Sequence, residues 1–241
     1  MRYKTIIALI PLILSSFLKL GAQWCNTTVY TPSGVSICAY YEDIAPSWYI
    51  EYLEDQAAGW IEDNNSNATR IDAASNQYNC HAYAWHVSEG GNKVWVSNYD
   101  DFDNLVYNVD NYFSGSNPSY APTAQSEADK VFYGYGSADH SAITTAQPGI
   151  FKSKWGQWPV YQHAWNDCPY NSSNLQYYKY CYEKIEDQTI TTDLNKSSCR
   201  LVLKNIDVQN SPTINIVIEE DFKIVGTFNA PTGTVLNINP E

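Results

Sequence analysis

The stretch YNCHAYAWH, residues 78–86, holds one of the six cysteines and two of the four histidines of this 241-residue chain. Its cysteine, Cys80, could be a nucleophile, half of a disulfide bond or a metal ligand. A cysteine attacks a carbonyl as a thiolate, so it needs a base, and the N-terminus of a helix helps by lowering its pKa. The base needs a third group that fixes its tautomer. Catalysis at Cys80 therefore requires a histidine and a polar residue that the fold brings beside it.

The segments that would position such groups follow one another in a recognisable order. After Cys80 the sequence HAYAWHV is compatible with a helix, which Gly90-Gly91 ends. HSAITT, which begins at His140, and IFKSKW, which contains Ser153, are predicted to be strands. A cysteine at a helix start, a histidine on a strand and a polar residue on the next strand is the chain order of the papain-like fold. The sequence thus predicts an α+β domain in which these three residues meet.

Three short motifs carry a resemblance to a known superfamily. YNCHAYAW resembles the cysteine helix of papain-like hydrolases, including the NlpC and CHAP cell-wall amidases. DHSAI resembles their histidine strand, and KSKWG is similar to their Asn-Ser-Trp-Gly element. NCHxYAW, DHSAI and SKWG together also resemble a group of uncharacterised secreted bacterial proteins with a papain-like domain, over roughly residues 76–182. The resemblance implies that Cys80 is the nucleophile, His140 the general base and Ser153 the orienting group, with Trp155 shielding the Ser153–His140 bond.

The sequence departs from the superfamily pattern at two positions. Ser153 stands where Asn, Asp or Glu is usual, and a hydroxyl offers no charge to stabilise an imidazolium. The glutamine that donates to the oxyanion would fall at Ala74, so Gln77 or Asn79 would have to replace it. A single oxyanion donor is worth a factor of about 100 to 1000 in rate. The predicted activity therefore depends on Gln77 or Asn79.

The cysteines predict disulfide bonds, because six cysteines in an exported chain are seldom all free. Fifteen pairings of six cysteines exist, and the sequence does not choose among them. A Cys80 disulfide would exclude the nucleophilic role. Local spacing favours two pairs and leaves a third, distant one: Cys25 with Cys38, Cys168 with Cys181, and Cys80 with Cys199.

A metal or cofactor is not predicted. The chain has neither HExxH nor a CxxC pair, and the acidic stretch Asp100–Asn111 lacks the glycine and glutamate of an EF-hand. We interpret that stretch as a solvated surface loop. Adjacent helix residues face apart, so His81 is expected to pack or lie at the surface rather than join Cys80. His86 and His163 are also predicted to be structural, and Asp139 is predicted to face away from His140.

The N-terminus and the charge restrict the partners. Residues 1–22 have a basic start, a short apolar run and a small-residue cleavage site, which predicts a secretory signal peptide rather than a membrane span. Its removal would take the formal net charge from −12 to about −15. An acidic surface repels nucleic acid and anionic lipid. The sequence therefore predicts a protein that is secreted, periplasmic or on the cell surface, and neither nucleic-acid-binding nor integral to the membrane.

The composition changes near Glu186. After this residue, short segments with alternating apolar residues, such as RLVLKNIDV and TINIVI, follow one another at even spacing. We predict a papain-like domain over residues 23–185, with the cysteine helix packed on a small antiparallel sheet, and a small all-β module over residues 186–241. The ending GTFNAPTGTVLNI resembles coil-like β modules of secreted bacterial proteins, which implies association with the cell surface.

The predicted function is that of a secreted cysteine peptidase or amidase. It would cleave a peptide, peptidoglycan or protein substrate through a Cys80 acyl-enzyme, with hydrolysis and acyl transfer equally compatible with the sequence. The alternative is a non-catalytic secreted binding or adhesion protein that retains the fold.

Overall fold

The computed structural model of the protein describes residues 25–97, 108–115, 117–135 and 139–240. The predicted signal peptide and most of the predicted acidic loop lie outside these residues. The described chain has few helices and many strands, arranged in three sheets, which confirms the α+β class in its coarse form. No helix within it is long and apolar enough to cross a membrane.

The N-terminal part contains two α-helices and ten short strands among the described residues. The alternation of residues 24–42 around Pro-Ser-Gly predicts a hairpin, and WYIEYLEDQAAGW, capped by Ser47, is predicted to be a helix. The structure contains both elements. The helix starts directly after Pro46, and Ser47 does not cap it through its side chain. The elements are β1 Thr27–Tyr30, β2 Ser36–Tyr40, α1 Ser47–Asp63, β3 Thr69–Asp72, α2 Cys80–Trp85, β4 Trp95–Val96, β5 Tyr120–Pro122, β6 Lys130–Phe132, β7 Ser141–Thr144, β8 Ile150–Lys154, β9 Val160–Ala164 and β10 Gln176–Tyr180.

A seven-stranded antiparallel sheet, in the order β3-β9-β8-β7-β6-β10-β5, separates the two helices. Side chains alternate between the faces of a strand. Val131 of β6 and Ala142 of β7 pack with Ala57 of α1. Their neighbours Phe132 and Ser141 face α2, where Ser141 accepts a hydrogen bond from Trp85. The strands β7 and β8 are therefore covered by α1 on one face and by α2 on the other.

The C-terminal part is a parallel sheet formed by a coiled chain. Straight, the 15 residues of β13 would span about 50 Å, and the four residues 209–212 that lead to β14 reach only about 14 Å. Because β13 and β14 are parallel along most of their length, β13 must bend back, and it does so at register shifts after Ser198 and Lys204. The strands are β11 Glu183–Glu186, β12 Thr189–Ile190, β13 Leu194–Val208, β14 Thr213–Asn229 and β15 Val235–Pro240.

Stacked side chains hold successive turns of this coil in register. Asn195, Asn215 and Asn237 form a ladder in which each amide donates to the one before it, at 2.9 and 2.8 Å. Leucine, isoleucine and valine fill the interior of the coil. The alternation of apolar and polar residues predicts this inside and outside pattern, and the parallel coil supplies the partner strands.

One corner of the coil repeats a left-handed backbone conformation. Asp187, Asn205 and Gly226 have φ values of 52°, 51° and 73° and lie in consecutive turns. The Asn205 amide donates to Asp187 at 2.8 Å, and its oxygen accepts from the N–H of Thr227 at 3.4 Å. Asparagine, aspartate and glycine are the residues that tolerate this conformation.

Replacing Gly226 by alanine is expected to lower the free energy of unfolding by about 1–3 kcal/mol. The new Cβ would require a strained φ and would overlap the Oδ1 atom of Asn205. Gly59→Ala is the matched control, because Gly59 lies within α1 with open space around it. That change should raise stability by about 0.5–1 kcal/mol. Urea unfolding of both variants measures the effect, and equal stability of the two would contradict the corner geometry.

Candidate functional site

Cys80 is the first residue of α2, as the sequence predicts. The preceding Asn79 caps the helix: its Oδ1 atom accepts from the N–H of Ala82 at 3.0 Å, and its amide donates to the carbonyl of Val96 at 2.8 Å. Both ends of the Asn79 side chain are thus used in holding the helix start, and the residue is buried. Asn79 therefore positions Cys80, and its side-chain amide is already engaged.

Gln77 is the other predicted oxyanion donor, and its side chain is less constrained. It is half-buried, and its amide has no hydrogen-bond partner among the described residues. Its backbone N–H is held by the hydroxyl of Ser75 at 3.2 Å. Of the two candidates, Gln77 is the one whose amide is available to a ligand.

The thiol of Cys80 is free and 6% exposed. Backbone N–H groups of Ser141, His81 and Cys80 itself favour the thiolate, but burial and then the charge of Asp139 outweigh them. Burial and the charge of Asp139 raise the pKa of Cys80 to about 12. In the conformation that the structure describes, the thiol is therefore protonated at neutral pH.

His140 lies at the same end of β7 as Cys80, within a stack of aromatic rings. Its ring is fully buried, lies 3.6 Å from the ring of Tyr170 at an angle of 7°, and meets Tyr133 edge-on at 4.9 Å. Neither ring nitrogen has a hydrogen-bond partner among the described residues. Burial, followed by His163 and His81, lowers the pKa of His140 well below its usual value. The imidazole is therefore neutral, which is the form that can accept a proton.

Ser153 bonds a different histidine from the one that the resemblance implies. Its hydroxyl lies 2.7 Å from Nε2 of His163, and the indole of Trp155 donates to the same hydroxyl at 3.1 Å. The strand pairing explains this, because Phe151 of β8 lies opposite His163 of β9 and places His163 diagonally from Ser153 on one face. Ser153 and Trp155 are brought together as predicted, but around His163 rather than His140.

His81 is buried and takes part in a polar cluster on the α2 face of β7. Its Nδ1 atom lies 2.8 Å from the hydroxyl of Ser141, and Nε2 lies 3.3 Å from Asp139. The indole of Trp85 donates to the same hydroxyl at 2.8 Å. The predicted packing role of His81 agrees with this position, and Asp139 faces α2 rather than His140.

Two residues near Cys80 were not singled out by the sequence. Lys154 is fully buried, donates to the carbonyl of Trp158 at 2.5 Å and lies 4.9 Å over the ring of Tyr78. Burial lowers the pKa of Lys154 to about 7, although a thiolate at Cys80 would favour its charged form. Burial, Cys80 and Cys168 raise the pKa of Tyr170. A lone lysine and a lone tyrosine carry no sequence signal of a site, because only the packing brings them to Cys80.

The cysteine pairing differs in part from the prediction. Cys25 and Cys38 form the predicted disulfide, with Cα atoms 5.3 Å apart. The predicted Cys168–Cys181 pair is wrong, because Cys181 bonds Cys199 with Cα atoms 5.0 Å apart. Cys168 is a free thiol that packs with Trp155 and donates to the carbonyl of Tyr170 at 3.9 Å. Cys80 is therefore not half of a disulfide.

Comparisons with known proteins give no relative for this chain. No family model matches it, and no match was found among the curated proteins or among the solved structures. Within the described ranges, no group of three or more His, Cys, Asp or Glu residues is placed to hold a metal ion. Any functional assignment therefore rests on the geometry around Cys80.

Proposed function

We propose that the protein is a secreted thiol hydrolase of papain-like type that cleaves amide bonds in a cell-wall peptide or a protein. The observation that carries the proposal is the free Cys80 thiol at the start of α2, where backbone N–H groups favour the thiolate. Such N–H groups stabilise a thiolate or an oxyanion. The two disulfides support an oxidising compartment.

The proposed reaction assigns roles to His140, to Gln77 and to the backbone N–H groups at the start of α2. His140 takes the proton from Cys80, the thiolate attacks the carbonyl carbon, and the amide of Gln77 with the backbone N–H groups holds the oxyanion. The protonated His140 then gives its proton to the leaving amine as the C–N bond breaks. Water, deprotonated by His140, attacks the thioester and releases the acid. Lys154, when charged, favours the thiolate from its buried position.

Tyr170 controls this chemistry in the proposal. Its ring lies flat on the ring of His140, and its hydroxyl lies near Gly156, where a Cβ would be 3.7 Å away. The stack holds His140 away from solvent and contributes to the burial of the site. Displacement of Tyr170 by a substrate would rehydrate the site, lower the pKa of Cys80 and free the imidazole. The described conformation is then the closed, resting state.

We expect Tyr170→Ala to speed the alkylation of Cys80 by iodoacetamide about tenfold or more near neutral pH, since each unit by which the thiol pKa falls gives ten times more thiolate. In the unchanged protein the pKa is about 12, so alkylation is slow at neutral pH and rises with pH. Peptide mass mapping measures the rate at Cys80.

Tyr170→Phe is the matched control, because it keeps the ring on His140 and should keep the slow rate. Cooperative urea unfolding of both variants shows that they remain folded. Slow alkylation of Cys80 in a folded Tyr170→Ala variant would contradict the proposed control by Tyr170. An electrophilic peptide that labels Cys80 in the same variant tests the hydrolase itself.

A second candidate is a secreted binding or adhesion protein without catalysis. It is favoured by the aromatic stack that fills the space beside His140 and by the bond from Ser153 to His163 instead of His140. In that case the electrophilic peptide would label Cys80 no faster than it labels the buried thiol of Cys168. The C-terminal coil, proposed as a surface adaptor, is compatible with both candidates.

A further inference from the structure

An open groove lies at the opposite end of β7 and β8 from Cys80. It has a volume of about 1240 Å³, and the turn before β8, the end of β9 and the loop before β10 form its walls. Ile150, at one end of β8, lines it, whereas Lys154 at the other end lies near Cys80. Four residue steps along β8 separate these two by about 13 Å. The groove is therefore a second site, at the other end of β8 from the thiol.

Two aromatic rings line the groove, and one of them is held in place by its backbone. The side chain of Trp165 is 43% exposed, but its backbone is held on both sides. The backbone N–H donates to the carbonyl of Gly149 at 2.9 Å, and the backbone carbonyl accepts from the hydroxyl of Tyr133 at 3.3 Å. The ring passes Gly149 closely, since a Cβ there would be 3.6 Å from Cδ1 of Trp165. With the half-buried ring of Tyr177 it offers a flat apolar surface on a residue whose backbone is hydrogen-bonded.

The remaining polar side chains of the groove are amides and hydroxyls that can donate and accept. The amide of Gln125 has no partner among the described residues, and Asn171 uses only its oxygen, which accepts from the N–H of Ser173 at 3.0 Å. Ser126 and Ser172 add hydroxyls in the same lining. Groups of this kind match the hydroxyls of a sugar ring, each of which both donates and accepts.

The groove differs from the rest of the molecule in the charge of its residues. None of its twelve lining residues is charged, although the chain carries 40 charged side chains and a net charge of −12. A charged ligand would find no partner in the lining, and an anionic one would meet the net repulsion of the protein. A neutral ligand with apolar faces and polar edges fits the rings and the amides together.

We propose that this groove binds an uncharged oligosaccharide, with a pyranose ring stacked on Trp165 and its hydroxyls bonded by Gln125 and Asn171. The site would hold the protein on a glycan while the Cys80 region faces away along the sheet. Binding does not require a functional thiol, so the groove can be tested apart from the proposed hydrolase. A volume above that of a usual small-molecule pocket suits a chain of several sugars.

Calorimetric titration of the whole protein with tetrasaccharides of β-1,4-linked glucose and of β-1,4-linked N-acetylglucosamine tests the proposal. At least one should bind, and Trp165→Ala should weaken that binding about tenfold or more, as the loss of a central aromatic anchor does. Asn171→Ala should weaken it by a smaller factor. Both residues are exposed, so neither change removes core packing.

Trp48→Ala is the matched control, because Trp48 is an exposed indole that does not line the groove, and it should leave the binding unchanged. The proposal is overturned if neither saccharide binds at millimolar concentration, or if the binding survives Trp165→Ala. It is also overturned if a proline-rich peptide binds at Trp165 and neither saccharide does, since aromatic grooves can also take extended peptides.

Discussion

Replacing Cys80 by alanine is expected to abolish amide hydrolysis, with kcat/KM falling about 10⁴-fold or more. Without the sulfur no acyl-enzyme can form, and the neighbouring N–H groups alone give only residual catalysis. The measurement is release of new amino groups from peptidoglycan or from a denatured protein. It should be made with the Tyr170→Ala variant as the background as well, because the described conformation is closed.

Cys168→Ala is the control for this prediction. Cys168 is the other free and buried thiol, so its removal costs a similar small volume of packing, about 1 kcal/mol. Its sulfur lies in the core with Trp155, and we expect activity to change by no more than a small factor. Equal loss of activity in the two variants would show that the effect is structural. Full activity of Cys80→Ala would exclude the proposed mechanism.

Replacing Trp85 by alanine is expected to lower the free energy of unfolding by about 3–5 kcal/mol. The indole is 1% exposed at the centre of the core between α2 and the sheet. It packs against Phe113 at 5.3 Å and edge-on against Tyr120 at 5.1 Å, and it donates to the hydroxyl of Ser141 at 2.8 Å. The free energy of unfolding of an ordinary domain is roughly 5–15 kcal/mol, so the variant would lose a large share of its stability. Urea unfolding followed by fluorescence and circular dichroism measures the change.

Trp48→Ala removes the same side chain from a position that is 65% exposed on α1. Its expected effect on stability is within about 0.5 kcal/mol. Comparing the two variants separates the stability lost by removing a buried indole from the stability lost by removing a tryptophan at any position. A change below about 1 kcal/mol for Trp85→Ala would mean that α2 does not pack on the sheet as the structure describes.

Local sequence signals predict many of the elements well. The pattern around α1, the turn between β1 and β2 and the stretch that begins at Cys80 each act within a few residues, through propensity and, at α2, through capping. The alternation beyond Glu186 likewise predicts strands with one buried face. It does not distinguish an antiparallel sheet from a parallel coil, because period-two alternation is common to both.

The partners of the site residues could not be predicted in the same way. Whether Ser153 meets His140 or His163 depends on the register of β8 against β9, where a shift of one residue reverses the face of every side chain. The position of Tyr170 on His140 depends on how the loop after Cys168 docks. Neither the contact of Ser153 with His163 nor the stack of Tyr170 on His140 can be read from spacing along the chain.

The cysteines illustrate the difference between what the local sequence predicts and what the tertiary structure decides. By itself the sequence determined that Cys80 opens a helix, because HAYAWHV has helical character, and local spacing favoured the pair of Cys25 with Cys38. Only the tertiary structure decided that Cys181 meets Cys199, which leaves Cys80 and Cys168 as thiols. A disulfide needs Cα atoms about 5–6 Å apart. Within a hairpin local pairing sets that distance, whereas between β10 and the coil it follows from how two separate sheets pack.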